Sequence, residues 1–276
     1  MRFAGQRDAA GETEKTTALG RLVDEQRVKH SPCVAVLPVD SYQLIQVDMG
    51  DLPEEERREA VRWQIRDRID YPPEQAVVDL FEVAPFGSER RPLTYVVSAR
   101  QQFLREQLAA ISQGGLAVEA IDIPEFALRN ICELYTEDER GVAILLLLEK
   151  VGLLVIVRDG TLYLVRLLST GMDDLLPHVE GGYEALTEQL DGIVLEIQRS
   201  FDFCESTFQL PLVSRLLVAQ TRQEIPAVTN YLNEYLATRV ESFSFNGVID
   251  VPEGIGQIEL NRHLLTIGGA LRRENR

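Results

Sequence analysis

Residues 141–168 read GVAILLLLEKVGLLVIVRDGTLYLVRLL, and the way that stretch is punctuated sets the fold. Its three apolar runs, 141–148, 151–157 and 162–168, are far too short to span a bilayer as helices and are rich in branched residues that favour strands. Between the second and third runs stands Arg158-Asp159-Gly160-Thr161, whose Asp-Gly pair is a hairpin signal. A three-strand meander is the expectation. Beyond it, residues 183–208 carry Leu186, Leu190, Ile193, Val194, Ile197, Phe201 and Phe208 at a helical period. A strand at 216–219, a helix at 225–236, a strand at 240–245 and a closing helix at 260–271 follow. Meander, helix, strand, helix, strand, helix is the element order of an RNase-H-like lobe.

Upstream, residues 1–17 are polar and read as a disordered tail. A short helix bearing Leu19, Leu22 and Val23 follows, then strands at 33–37 and 42–47 joined by a turn at 38–41. A helix opens at Asp51-Leu-Pro-Glu54, with Asp51 as its cap, and buries Val61, Ile65 and Ile69. The Tyr71-Pro72-Pro73 turn stops it. Strands at 77–83 and 93–98, a helix at 101–112, a strand at 116–122 and a helix at 123–134 complete the first half. The pattern changes after Glu137-Asp138-Glu139. The chain is therefore read as α/β with mixed sheets: a tail (1–17), a first lobe (18–138) and a second lobe (139–276). Two such lobes facing a cleft make the actin and sugar-kinase architecture.

Composition narrows the partners. With 28 basic and 44 acidic residues the formal net charge is −16, which disfavours nucleic acid and anionic lipid as bulk partners. The five arginines between Arg57 and Arg68 alternate with Glu and Asp and read as a solvated helix face. Cys33, Cys132 and Cys204 lie far apart without a metal or disulfide spacing, as do His30, His178 and His263. The opening residues lack the apolar core of a signal peptide, so a cytoplasmic protein is expected. No GxSxG context, phosphate-loop GK(S/T) or separated carboxylate pair points to hydrolysis or phosphoryl transfer.

Four stretches, taken in order, resemble the PilM family of pilus-assembly proteins, most nearly its MSHA-pilus branch, MshI. They are residues 59–73 (EAVRWQIRDRIDYPP) running into 77–81, Val97-Ser-Ala-Arg100 with 115–122 and Phe126-Ala-Leu128, residues 195–203 (LEIQRSFDF), and Ile267-Gly-Gly-Ala-Leu-Arg272. The resemblance spans residues 33 to 273. It implies an actin-like fold with a family-type subdomain inserted in the first lobe. It also implies a cytoplasmic place beside the inner membrane, reached through a protein partner: the N-terminal tail of a bitopic PilN-type protein, MshJ in the MSHA system. Some family members bind ATP.

An actin-like ATP site needs two glycine-rich phosphate loops, because only bare backbone can approach phosphate closely. No early D-I-G loop precedes Leu19, so the first lobe is expected to be truncated at its start or the natural start to lie upstream. Where the second phosphate loop belongs, the chain reads Leu148-Glu149-Lys150-Val151-Gly152; where an adenosine-side Gly-Gly belongs, it reads Gln220-Thr221-Arg222. Glu149, Gly152, Gly171, Gly268 and Gly269 stand only as remnants of a nucleotide cleft. The expectation is a scaffold rather than an enzyme, with no cofactor and no metal. An ATP- and Mg²⁺-binding ATPase of the same machinery and a self-associating filament are the alternatives. The partner's tail is expected on the first half, with Tyr42, Ile45, Val47, Trp63, Ile65, Val77 and Phe81 as candidate lining. The long helix at 183–208 reads first as core and second as an oligomerisation surface.

Overall fold

In a computed structural model of the chain, the structure describes residues 6–7, 11–49, 54–84, 92–135 and 140–273. They divide into two compact units, the first within Gly5–Ala84 and Arg90–Pro124, the second within Glu125–Arg276.

The first unit comprises α1 (Glu12–Gln26), β1 (Pro32–Val36), β2 (Tyr42–Val47), α2 (Glu54–Gln64), β3 (Ala76–Val83), β4 (Leu93–Arg100), α3 (Gln101–Gln113) and β5 (Ala117–Asp122). β1 and β5 pair in parallel, with α1 packed on α3. Separately, β2, β4 and β3 form an antiparallel sheet in that order. Strand alternation divides this sheet cleanly. Ile45, Val47, Val78 and Val96 point inward and pack under Val61 of α2 and Ile65 just beyond its end.

Two expectations change here. The tail thought disordered through residue 17 is helical from Glu12, and α1 ends at an αL cap on Arg27, whose amide reaches back to the Val23 and Asp24 carbonyls. The α2 helix stops at Gln64, not at Tyr71. Gln64 and Arg68 then turn outward and donate to the Asp48 and Gln46 carbonyls, at 2.7 and 2.6 Å, while Ile69 still packs at the margin of the core. The cap at Asp51 and the acidic run 137–139 lie outside the described residues.

The second unit comprises α4 (Pro124–Cys132), β6 (Val142–Leu147), β7 (Gly152–Arg158), β8 (Thr161–Leu168), α5 (Met172–Leu175), α6 (Gly182–Phe208), β9 (Arg215–Gln220), α7 (Pro226–Tyr235), β10 (Arg239–Ser242), α8 (Gln257–Arg262) and α9 (Leu264–Ala270). Its sheet order is β10-β9-β6-β7-β8. The meander β6-β7-β8 is antiparallel, while β9 and β10 join β6 in parallel. That is the RNase-H-like topology. Every residue of β6 and β7 is buried, which is why these strands read as continuous apolar runs and not as alternation. The hairpin forms at Asp159-Gly160, both at positive φ (48° and 71°), with Arg158 facing Thr161.

The dividing line falls at Pro124/Glu125 and not near residue 138, because α4 belongs to the second unit's core. Ala127, Leu128 and Ile131 are wholly buried, and Asn130 donates to the Gly268 carbonyl of α9 at 2.9 Å. The closing helix expected at 260–271 is two helices, broken at His263.

Candidate functional site

In the second unit, the carboxyl ends of β6 and β9 carry the loops where a nucleotide would be cradled. The β6–β7 turn closes on itself, with the Leu148 amide donating to the Val151 carbonyl at 2.9 Å. The start of α5 is laid directly upon this turn. The Met172 amide donates to the Leu148 carbonyl (2.7 Å) and the Asp173 amide to the Glu149 carbonyl (2.8 Å). The Gly171 amide is taken by its own helix's Asp174 carboxylate at 2.8 Å. A phosphate loop leaves such N–H groups pointing at the ligand; here they are spent on the chain itself. The approach is so close that a Cβ on Gly171 would stand 2.5 Å from the Glu149 carbonyl oxygen.

After β9 the same tying continues. The Thr221 amide and hydroxyl both donate to the Leu147 carbonyl, at 3.3 and 2.7 Å. Asn261 and Arg262 of α8 hold the Gln220 and Thr221 carbonyls at 2.9 and 2.8 Å. Arg222 reaches across to Asp173 at 2.7 Å.

Of the residues expected as cleft remnants, Glu149, Gly152 and Gly171 meet at the β6–β7 turn, while Gly268 and Gly269 lie in α9. Glu149 is exposed on the turn, and Gly152 starts β7 with Thr170 and Leu168 hard against it. Gly268 and Gly269 are buried inside α9, where a Cβ on Gly268 would come 2.1 Å from the Ala127 carbonyl oxygen. These glycines serve close packing. A cavity of about 400 Å³ does open in this unit, but beside the Asp159-Gly160 hairpin at the opposite end of the sheet, lined by Asn130, Glu133, Asp159 and Arg273 among others.

Cys132 and Cys204 are buried, and burial pushes the Cys204 thiol up to about 12 and Cys132 higher still, away from the reactive thiolate. Among the described residues no group of three His, Cys, Asp or Glu is placed to hold a metal ion. None of their helices is long and apolar enough to cross a membrane.

In the first unit, the seven residues expected to line a partner groove divide. Ile45, Val47 and Ile65 are core, at 4%, 8% and 0% exposure, and support the β2-β4-β3 sheet from within. Tyr42, Val77 and Phe81 lie on the sheet's other face, with Leu44, Tyr95 and Val97, as the strand register requires. This outer face is aliphatic and aromatic yet only half-buried. Val77 is 39% exposed, and the Phe81 and Tyr95 rings stack with centroids 5.3 Å apart. Trp63 is 56% exposed on α2, so it belongs to neither face of the sheet. Exposed Asp79 and Gln46 add polar groups to the outer face. Leu44, Tyr95 and Val97 were not among the expected lining. The register Leu44↔Val97 and Phe81↔Tyr95 puts them there, and pairing of that kind is not written in any single strand.

No protein-family model matches the chain, and no curated protein does. Solved structures do match. Over 95% of this chain and 85% of the other, it superposes on a chain of the PilM-PilN type IV pilus biogenesis complex with a TM-score of 0.73 at 21% identity. The cytoplasmic domain of EpsL, an inner-membrane component of the type II secretion system of Vibrio cholerae, matches at 13% identity and TM-score 0.49, over 94% of this chain and 82% of its own. A Bacteroides thetaiotaomicron protein of actin-like ATPase fold and unknown function matches at 10% identity and TM-score 0.47, over 90% and 80%. Sheet order and superposition agree: the chain has an α/β, actin-like fold with mixed sheets, similar to that of the PilM-PilN structure.

Proposed function

We propose that this chain is a non-catalytic scaffold of a type IV pilus or related secretion assembly, and that it grips the N-terminal tail of a PilN-type inner-membrane partner. The tail binds as an extended peptide along the outer face of the β2-β4-β3 sheet, its side chains resting on Val77, Leu44 and Val97. The observation that carries this reading is that half-exposed apolar face, bordered by two edge strands, in a chain whose fold is similar to a structure solved as a PilM-PilN complex. Attachment to the membrane, in an MSHA-type system or another, then runs through the partner.

The scaffold half of the proposal draws on the tied carboxyl end of the second sheet. The Leu148, Met172 and Asp173 amides donate to carbonyls and Gly171 packs against the turn, which supports the reading that this backbone does not cradle a triphosphate.

Titration of the protein with a peptide of about the first twenty residues of the cognate inner-membrane partner tests the docking, since extended-strand recognition needs only a short segment. Saturable binding is expected, weakened about tenfold or more by Val77→Asp, a loss near 1.4 kcal/mol. Absence of binding at high micromolar peptide rejects it. The nucleotide question is separate: a ligand at about 100 times its Kd adds about 2.7 kcal/mol of stability. No thermal shift with millimolar Mg·ATP is expected, and a clear upward shift favours the ATPase alternative.

A further inference from the structure

The 27-residue α6 buries one side against the second sheet and leaves a stripe at three- and four-residue spacing exposed: Glu184, Glu188, Gly192, Leu195, Arg199 and Asp202. Two features of this stripe have no explanation among the described residues. A Cβ placed on Gly192 meets nothing within 4 Å, so packing among the described residues does not require the glycine. In a helix interior a glycine is destabilising relative to alanine. One turn on, Leu195 is 46% exposed. Alongside, Tyr235 at the end of α7 is 49% exposed, and its carbonyl accepts from the Gln198 side chain at 3.2 Å. The Tyr231 hydroxyl donates to Asp191, fixing α7 against this stretch of α6.

The stripe is complementary to itself. If two α6 helices pair antiparallel about a two-fold axis between residues 193 and 194, Leu195 of each copy lies over Gly192 of the other. Glu188 of each then faces Arg199 of the other. Both contacts occur twice, as a closed isologous interface demands. The glycine lets the helix axes approach and receives the leucine. Arg199 is available for such exchange. Its present partner, Glu196, sits three residues away at 3.1 Å and also takes Arg166 at 2.9 Å, so it stays paired when Arg199 leaves.

We propose that two copies of this chain associate through antiparallel α6 helices, Leu195 seated on Gly192 and Glu188–Arg199 pairs at each end. This interface lies in the second unit, so it stands or falls independently of peptide docking on the first. One helix pair with Tyr235 at its margin buries less than a standard interface of about 1,600 Å², which makes the dimer weak.

Sedimentation of the full chain at concentrations up to about 0.5 mM, the range for so small an interface, reads the equilibrium. A concentration-dependent dimer is expected. Arg199→Glu and Glu188→Arg should each weaken it about tenfold or more, since like charges then meet at both ends of the helix pair. The double variant E188R/R199E should restore the dimer to within about threefold of the parent, because the swapped charges again face their opposites. All four residues are solvent-facing, so unchanged thermal unfolding confirms that each variant folds. A strictly monomeric parent, single variants that dimerise like the parent, or a double variant that does not recover overturns the proposal.

Discussion

The carboxyl end of the second sheet and the outer face of the β2-β4-β3 sheet present opposite economies of the same material. At the first, named backbone groups are tied to the chain itself: the Leu148 and Glu149 carbonyls receive the amides of α5, and side chains from α8 and the Thr221 hydroxyl donate to the Gln220, Thr221 and Leu147 carbonyls. At the second, aliphatic and aromatic side chains stay half in water while the opposite face of the same strands is packed solid. A buried polar network is costly to disturb and leaves nothing for a partner, whereas a half-buried apolar face gains free energy when something covers it. The proposed binding therefore uses a surface and not a loop cradle.

Gly171→Ala strikes the tied region hardest. Its new methyl would overlap backbone that cannot swing away, unlike the tip of a side chain. A loss of about 3 kcal/mol is expected, at the upper end for overpacking, read by denaturant unfolding. A loss below about 1 kcal/mol, within the reach of ordinary substitutions, means the turn is loose enough to open for a ligand. The next effect is a pH dependence. His263, at the break between α8 and α9, is buried, and desolvation holds its pKa below the ordinary 6.5, against the opposing pull of Glu259. The unfolded chain then binds the proton more readily than the folded one. Stability is full above pH 6.5 and declines as pH falls from there toward the depressed folded value. His263→Gln should flatten that part of the profile of unfolding midpoint against pH; an unchanged slope assigns it to other groups. The smallest effect marks the other side of the comparison. Val77→Asp should leave stability within about 0.5 kcal/mol, as for most surface changes, while damaging peptide binding. If it unfolds the protein instead, the outer face is core and the contrast fails.

Much of the second unit was legible because burial on both faces leaves an unmistakable trace: β6 and β7 contain no polar residue between Val142 and Leu147 or between Gly152 and Val157. Asp159-Gly160 named its own turn. In the first unit, alternation separated Ile45 and Val47 from Tyr42 and Leu44, but period two sorts residues into two sets without saying which set a helix will cover. That is why the expected lining mixed residues from both faces with Trp63 of α2. Gly171 and Gly268 were read as cleft remnants because a glycine's sequence context does not reveal what approaches it. Only the carbonyls of Glu149 and Ala127, brought close by the fold, do so. The early end of α2 was hidden for a related reason, since Gln64 and Arg68 find their carbonyl partners on a strand sixteen to twenty-two residues away.

The clasp between α4 and α9 joins the first helix of the second unit to its last, through the Asn130 amide and the Gly268 carbonyl, 138 positions apart. During synthesis that clasp has no second half until the final helix has left the ribosome exit tunnel. The meander can pair early, but Asn130 and the Ala127 backbone of α4 must wait for Gly268 for nearly the whole of the lobe's translation. A transcript cut short before Gly268 therefore yields a chain that chaperones and proteases can tell from a finished one by the missing partner of Asn130 on α4.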